Sequence, residues 1–376
     1  MSFLKKELSM PSLSLPKLSG GVPSLRVRKP SRGARNNATV TGLEIGATRA
    51  IAAQARLQGG QIVAERVASR RLPPGLMRDG VVTDSERLAG ELKSLFAEHK
   101  LSKRVRVGLA TPRTVLRVID LPPLDDKDIR TALIMQAQER IPMPLDRAVM
   151  DFHKVGLVDT PDGQRLRVIV VVTEREGVDV LLDALRRAGL KPEGIDLSVF
   201  SVIRSLNHHA EQVEGPILYA QLGDLVNIAI AEAGVCRFTR QAPQGLAMVL
   251  GRLAENRGIP LDEAYALLHE GDDHASAADG DITVADLLRR AALELGSELR
   301  AAAEFYSTQF GSEVVTSGVV AGALAPLPGF VEALSAASGL ELTCGEVIAG
   351  TPEALGDVDP RIAPVATGLA VGALAS

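Results

Sequence analysis

Two glycine bends carry the residue types best suited to chemistry in this chain. In the second half, an apolar run at 217–222 leads into Gly223 and Asp224. A second apolar run at 226–231, a turn at Gly234 and a third run at 235–238 follow. The same order occurs near the start of the chain: a run at 40–45, a bend at Gly46, Ala47 and Thr48, a run at 49–56, and a turn at Gln58, Gly59 and Gly60. A glycine bend between two buried strands can aim backbone N–H groups at one point, and such a nest holds an anion such as phosphate. Two such hairpins in one chain predict a duplicated fold with a cleft between the copies.

The remaining reactive residues form no comparable pattern. There is no Walker A string, no His-Glu-x-x-His and no paired-cysteine metal spacing. His208 and His209 are adjacent, so on a helix they would point about 100° apart and could not share a metal; they read as surface residues. His153, between Phe152 and Lys154, reads as structural. Asp125, Asp126 and Asp128 precede a helical pattern and read as caps and dipole partners. Cys236 and Cys344 lie in apolar runs and read as small hydrophobes rather than a disulfide or metal pair, which suits a reducing compartment.

The elements that must position the bends are legible from period and punctuation. The 376 residues leave room for two or three domains, and the core is aliphatic, with no Trp. The formal net charge of −4 gives no reason to expect nucleic acid as a partner. No signal peptide is visible, and no run reaches the roughly 18 apolar residues of a membrane span. The segment at 362–375 comes closest, so the body reads as soluble. Residues 1–38 differ in kind: eight Lys and Arg face only Glu7, among Ser, Pro and Gly. Such a segment buries too little apolar surface to fold; it reads as a solvated tail, with a weak hold on anionic lipid as its functional alternative.

After the first hairpin, 62–70 completes an antiparallel meander. Asp84 caps a helix to about His99 that has Leu88, Leu92, Leu95 and Phe96 on one face. Strands follow at 105–110 and 115–119. Asp125 or Asp126 then caps a helix with Ile129, Ala132, Leu133, Ala137 and Ile141 inward, stopped by Pro142. Strands at 149–155 and 166–173 precede a helix carrying Val178, Leu181, Leu182 and Leu185. In the second half, helices are expected at 246–258, 260–269, 282–309 and 330–337, a polar loop at 272–281, and a strand at 314–320. Strands followed by alternating helix and strand in each half predict an α/β fold with helices packed on mixed sheets.

At 41–52 and 217–240 this layout resembles the actin-like ATPase fold shared by actin, sugar kinases, heat-shock chaperones and FtsA. The segments GVVTDSERLAGELKSLF, VRVGLATPRTVLRVIDLPPLDDKDI and ALIMQAQERIPMPLDRAVMDFHKVG narrow it. They are similar to the PilM family of type IV pilus assembly proteins, most specifically at 138–156, and the resemblance covers about 40–373. It implies a duplicated, ribonuclease H-like, two-lobed α/β fold with an inserted FtsA/PilM-type subdomain. The expected divisions are a basic tail at 1–38, first-lobe core at 39–79 and 174–214, the insert at 80–173, and a second lobe at 215–376 with a small helical subdomain at about 245–293. It further implies a cytoplasmic protein peripheral to the inner membrane. Its partners would be the N-terminal peptide of a PilN-like membrane protein, held in a groove by the insert, and the pilus motor. The runs at 116–124 and 143–152 would border that groove.

The resemblance also assigns a site for ATP with Mg²⁺, to Glu44, Gly46, Ala47, Thr48, Gln221, Gly223, Asp224, Glu263, Gly322 and Gly329. Here the chain departs from its pattern. An Asp beside each bend glycine is replaced by Glu44 and by the neutral Gln221, and Asn227 replaces a Thr. On the adenosine helix Glu263 is kept, but Ala266 and Leu268 fill the other contact positions. The glycine run of the adenosine loop is filled by Val319, Val320, Ala321 and Ala323, whose β-carbons oppose close backbone approach. These departures touch metal, phosphate, sugar and base together. They argue for a degenerate site, no catalytic residues and no hydrolysis; the alternative is an active ATPase whose nucleotide state regulates pilus assembly. Two further alternatives are weaker. An FtsA-like division protein would favour a basic amphipathic C-terminal helix, and a GspL-like secretion protein a following membrane span.

Overall fold

The computed structural model describes residues 39–372, apart from 142, 162, 210–213, 271–282 and 311–312. The expectations for the tail at 1–38, Pro142 and the loop at 272–281 therefore lie outside the described residues, as do those for the side chains of Asp126, Ala137 and His209.

The first lobe begins with β1 (Thr41–Ile45), β2 (Arg49–Gln58) and β3 (Gln61–Arg71), an antiparallel meander turning at Gly59 and Gly60. A short ribbon of β4 (Met77–Arg78) and β5 (Val81–Val82) leads to α1 (Ser85–Glu98). Asp84 is its N-cap and accepts from the Arg87 N–H at 3.0 Å, and Leu88, Leu92, Leu95 and Phe96 are buried, as the pattern predicts. Strand β6 (Arg104–Leu109) then lies parallel to β1.

The chain next leaves the lobe. Strand β7 (Val115–Leu121), helix α2 (Asp126–Arg140), β8 (Ala148–Thr160) and β9 (Gly163–Glu174) form an antiparallel sheet in the order β7-β9-β8. Its core is Ile119, Leu121, Met150, Val168, Val170 and Val172 against Ile129 and Leu133 of α2. Because side chains alternate across a strand, Leu116, Val118, Asp151, His153, Ile169 and Val171 share the opposite face.

Helix α3 (Arg175–Arg187), β10 (Lys191–Leu197) and α4 (Ser198–Leu206) return to the lobe. Strand β10 has no counterpart in the sequence reading. Pro192 and Gly194 hide it, and both are tolerated because it is the edge strand beside β6.

The second lobe repeats the first. Strands β11 (Ile217–Leu222), β12 (Val226–Glu232) and β13 (Val235–Ala242) form the meander. Helices α5 (Leu246–Arg257), α6 (Leu261–Glu270) and α7 (Val284–Phe310) follow, then β14 (Ser317–Ala321), α8 (Phe330–Ser338) and β15 (Glu341–Cys344). The order β13-β12-β11-β14-β15 matches β3-β2-β1-β6-β10, with an antiparallel meander and two parallel strands in each. The duplication inferred from the two bends is therefore present at the level of whole sheets.

The chain does not end in the second lobe. Strand β16 (Ile348–Ala349) pairs in parallel with β3, and α9 (Pro364–Val371) packs on β1, β2, β6 and α4. Expected to stay in the second lobe to 376, the segment instead completes the first. Residues 364–370 are all buried; an apolar run with no polar face is a core helix, and that composition hid its destination. Gly42 of β1 permits the approach, since a side chain there would collide with the Ala366 carbonyl. Arg106 and Arg204 donate to the Leu369 and Gly368 carbonyls at 2.7 and 2.8 Å, satisfying the last turn of α9. Helix α4 also packs against β11, β12 and β13, so it lies between the two principal sheets.

Candidate functional site

The fold sets the two bends opposite one another across a cavity of about 330 Å³. Glu44, Gly46, Ala47, Thr48, Gln221, Gly223, Asp224 and Gly322 all line it. Two other residues expected there are elsewhere. Glu263 is exposed, and Gly329, at φ +69°, is the N-cap of α8. Helix α6 presents Tyr265 and His269 to the cavity instead.

The bends hold each other directly. The Ala47 N–H donates to Asp224 Oδ2, and the Thr48 hydroxyl donates to Oδ1 at 3.2 Å. The Thr48 N–H also faces that carboxylate and helps hold its pKa down. Gly46 has no side chain to obstruct this, and an added Cβ would collide with Asp224 Oδ2. Burial raises the Asp224 pKa, and the bonds from Ala47 and Thr48 oppose that rise.

Beside this contact, Gln221 donates to Glu44 Oε1 and Asn227 donates to Gln221 Oε1 at 2.8 Å. Gln241 extends this chain of buried amides, either donating to Asn227 at 2.7 Å or, turned over, pairing with the Thr111 backbone at 2.9 and 3.2 Å. Glu44 Oε2 is buried with no hydrogen-bond partner. Burial first, and the nearby Asp224 charge second, push the Glu44 pKa up to about 8, so it carries its proton at neutral pH.

Other groups that would face a nucleotide are also engaged. The Leu246 N–H at the start of α5 donates to the Gly223 carbonyl at 2.8 Å, rather than standing open to phosphate. In the adenosine loop Gly322 N–H donates to Arg361 O at 2.7 Å and Leu324 N–H to Leu222 O at 3.2 Å. Val319, Val320 and Ala321 are buried in β14.

At the cleft mouth, Arg49 donates to the Tyr265 hydroxyl at 2.9 Å, and the Arg71 guanidinium lies 4.3 Å from the Tyr265 ring centroid. His269 stacks on the other face at 4.1 Å, and burial lowers its pKa. Besides the protonated Glu44, the cavity lining carries the carboxyls of Asp79, Asp224, Asp357 and Asp359 against the cation of Arg49. A triphosphate would meet that acidity and would have to displace Asp224. As arranged, these residues do not fit ATP with Mg²⁺; among the described residues no group of three or more His, Cys, Asp and Glu could hold a metal.

A second cavity, of about 410 Å³, lies where the free face of the inserted sheet meets the first lobe. Ile169 and Val171 line one side and Ile195, Phe200 and Ile203 the other. Asp151, His153, Asp196 and Arg204 supply its polar groups, the last two as a largely buried pair at 2.8 Å. His153, read as structural from the sequence, is exposed and borders this space. Phe200 is not singled out in the sequence, where no element is placed between Gly189 and residue 217; the structure puts it on α4.

The described residues contain no helix long and apolar enough to cross a membrane. The sequence profile of the family described as type IV pilus assembly protein PilM matches residues 42–351. Among solved structures, the chain is similar to a PilM-PilN type IV pilus biogenesis complex, with 25% identity and a TM-score of 0.72 over 88% of this chain and 97% of that one. The ethanolamine utilization protein EutJ from Carboxydothermus hydrogenoformans shares the fold at 13% identity and a TM-score of 0.52, over 89% of each chain. With a profile match over most of its length, and with the duplicated actin-like sheets and inserted subdomain in place, the chain belongs to the PilM family of type IV pilus assembly proteins.

Proposed function

We propose that this PilM-family chain is a non-catalytic scaffold at the inner face of the cytoplasmic membrane. It holds the N-terminal peptide of a PilN-like membrane protein and links it to the pilus motor. The peptide lies in the 410 Å³ cavity between the inserted sheet and α4. That cavity is the observation that carries the reading: an apolar trough with a few fixed polar groups suits a short extended peptide, whose side chains enter while its backbone meets the polar rim. The central cleft serves shape rather than turnover, because its bend amides are engaged within the chain and its lining is acidic.

The test is a fluorescence titration with a labelled synthetic peptide of the cognate PilN-like N-terminus. Val171→Asp and Phe200→Ala are expected to weaken binding roughly tenfold or more, the usual scale for apolar anchors at the centre of an interface. Their melting temperatures should stay close to that of the parent. Unchanged affinity in both variants would place the peptide elsewhere.

A further inference from the structure

The first bend of this chain has every attribute of an anion seat, and the anion already in it belongs to the chain. Ala47 N–H, Thr48 N–H and the Thr48 hydroxyl converge on Asp224, which comes from the opposite lobe. Donors gathered around a carboxylate form the kind of nest that other proteins use for phosphate. The carboxylate lies against Gly46, where any side chain would exclude it. Its own bend is fixed in turn, since the Leu246 and Ala247 N–H groups of α5 donate to the Gly223 and Asp224 carbonyls at 2.8 and 3.4 Å. Gly245 makes room for that packing. At the cleft mouth, Arg49 and Arg71 of the first lobe hold Tyr265 of the second.

We propose that Asp224 is a built-in substitute for phosphate that latches the two lobes shut without nucleotide, with the Arg49–Tyr265–Arg71 contact as a second clasp. This rests on the reading of the cleft as a site without turnover, and it adds the cause. An incoming polyphosphate competes with a carboxylate tethered on the same molecule, whose contact is an intramolecular one. It also enters beside Asp79, Asp357 and the Asp359 carboxylate, the last paired with Arg361 at 2.6 Å. The PilM frame is thereby kept closed permanently, and the peptide trough at the base of the insert is presented in one form.

Amide hydrogen exchange on the full chain tests this, comparing the parent with Asp224→Ala and the near-isosteric Asp224→Asn, each with and without Mg-ATP. In the parent, Ala47 and Thr48 are expected to be protected without nucleotide and unaffected by its addition. In Asp224→Ala they should exchange at least tenfold faster, and in Asp224→Asn to an intermediate degree, while amides in the centre of β11 and β12 keep their protection and report an intact lobe. Equal protection of Ala47 and Thr48 in the parent and both variants overturns the latch, whether or not ATP binds. If the parent binds ATP but the variants still lose protection, the site reading fails and the latch stands. If the β11 and β12 amides also lose protection in Asp224→Ala, Asp224→Asn decides alone: unchanged Ala47 and Thr48 exchange there overturns the proposal.

Discussion

Glu44 carries the clearest titration signature in the cleft. Its carboxyl accepts one hydrogen bond from Gln221, its second oxygen is buried without a partner, and Asp224 adds repulsion. With a folded pKa of about 8 against 4.5 for an ordinary glutamate, the folded chain keeps a proton that the unfolded chain loses between those values. Stability is therefore highest below the unfolded pKa and falls as pH rises toward 8, by up to about 1.4 kcal/mol for each pH unit. Glu44→Gln removes the ionisation and keeps an oxygen for Gln221. Denaturant melts at pH 5, 6, 7 and 8 should show the variant gaining steadily on the parent; parallel curves would contradict the assignment. The sequence shows Glu44 departing from the family pattern, and it names Asp224 as a bend residue. The contact of Asp224 with Ala47 and Thr48 could not be read there, because it joins positions 176 and 177 residues apart and depends on how two sheets meet.

At the scale of elements, legibility followed local signals. Helix α1 could be placed because Asp84, the apolar stripe and a β-free interior agree. Helices α5 and α8 stop at Gly258 and Gly339, both left-handed at φ +63° and +73°, where glycine is unstrained. Strand β10 and helix α9 escaped notice for opposite reasons, one broken by Pro192 and Gly194, the other uniformly apolar. The helix nonetheless fills the first lobe: Val365, Ala366 and Leu369 pack against Leu43, Ala52 and Val107 or their neighbours. Ending the chain at residue 346 removes β16 and α9 and exposes that face. Each large buried side chain lost this way forfeits about 2–3 kcal/mol, and a domain's net stability is only about 5–15 kcal/mol. The truncated protein should aggregate or be cut by protease within 41–71, where the parent resists. A truncated chain with the parent's melting temperature and protease pattern would show that α9 is dispensable.

The whole molecule joins two equivalent lobes with one insertion, and each feature has a separate use. Duplication makes the cleft, a carboxylate from one lobe accepts a hydrogen bond from the other across it, and the insert adds a sheet whose second face borders the 410 Å³ cavity proposed to hold the peptide. The resemblance to PilM reached the fold and family in advance, since many short segments fall in the right order along the chain. It named a peptide groove only as a region. Of the runs expected to border that groove, Asp151 and Phe152 line the 410 Å³ cavity, whereas Leu116 lines a different cavity near Gln241. The face of a strand that meets another lobe is fixed by tertiary packing and leaves no periodic trace. The most direct test of the scaffold account is a titration of the cognate PilN-like N-terminal peptide into the full chain, with and without Mg-ATP. The account predicts saturable micromolar binding whose affinity is the same within about twofold in both conditions, since 1.4 kcal/mol of coupling would already appear as tenfold. Absence of binding at tens of micromolar peptide, or an affinity that shifts tenfold when Mg-ATP is added, would contradict it.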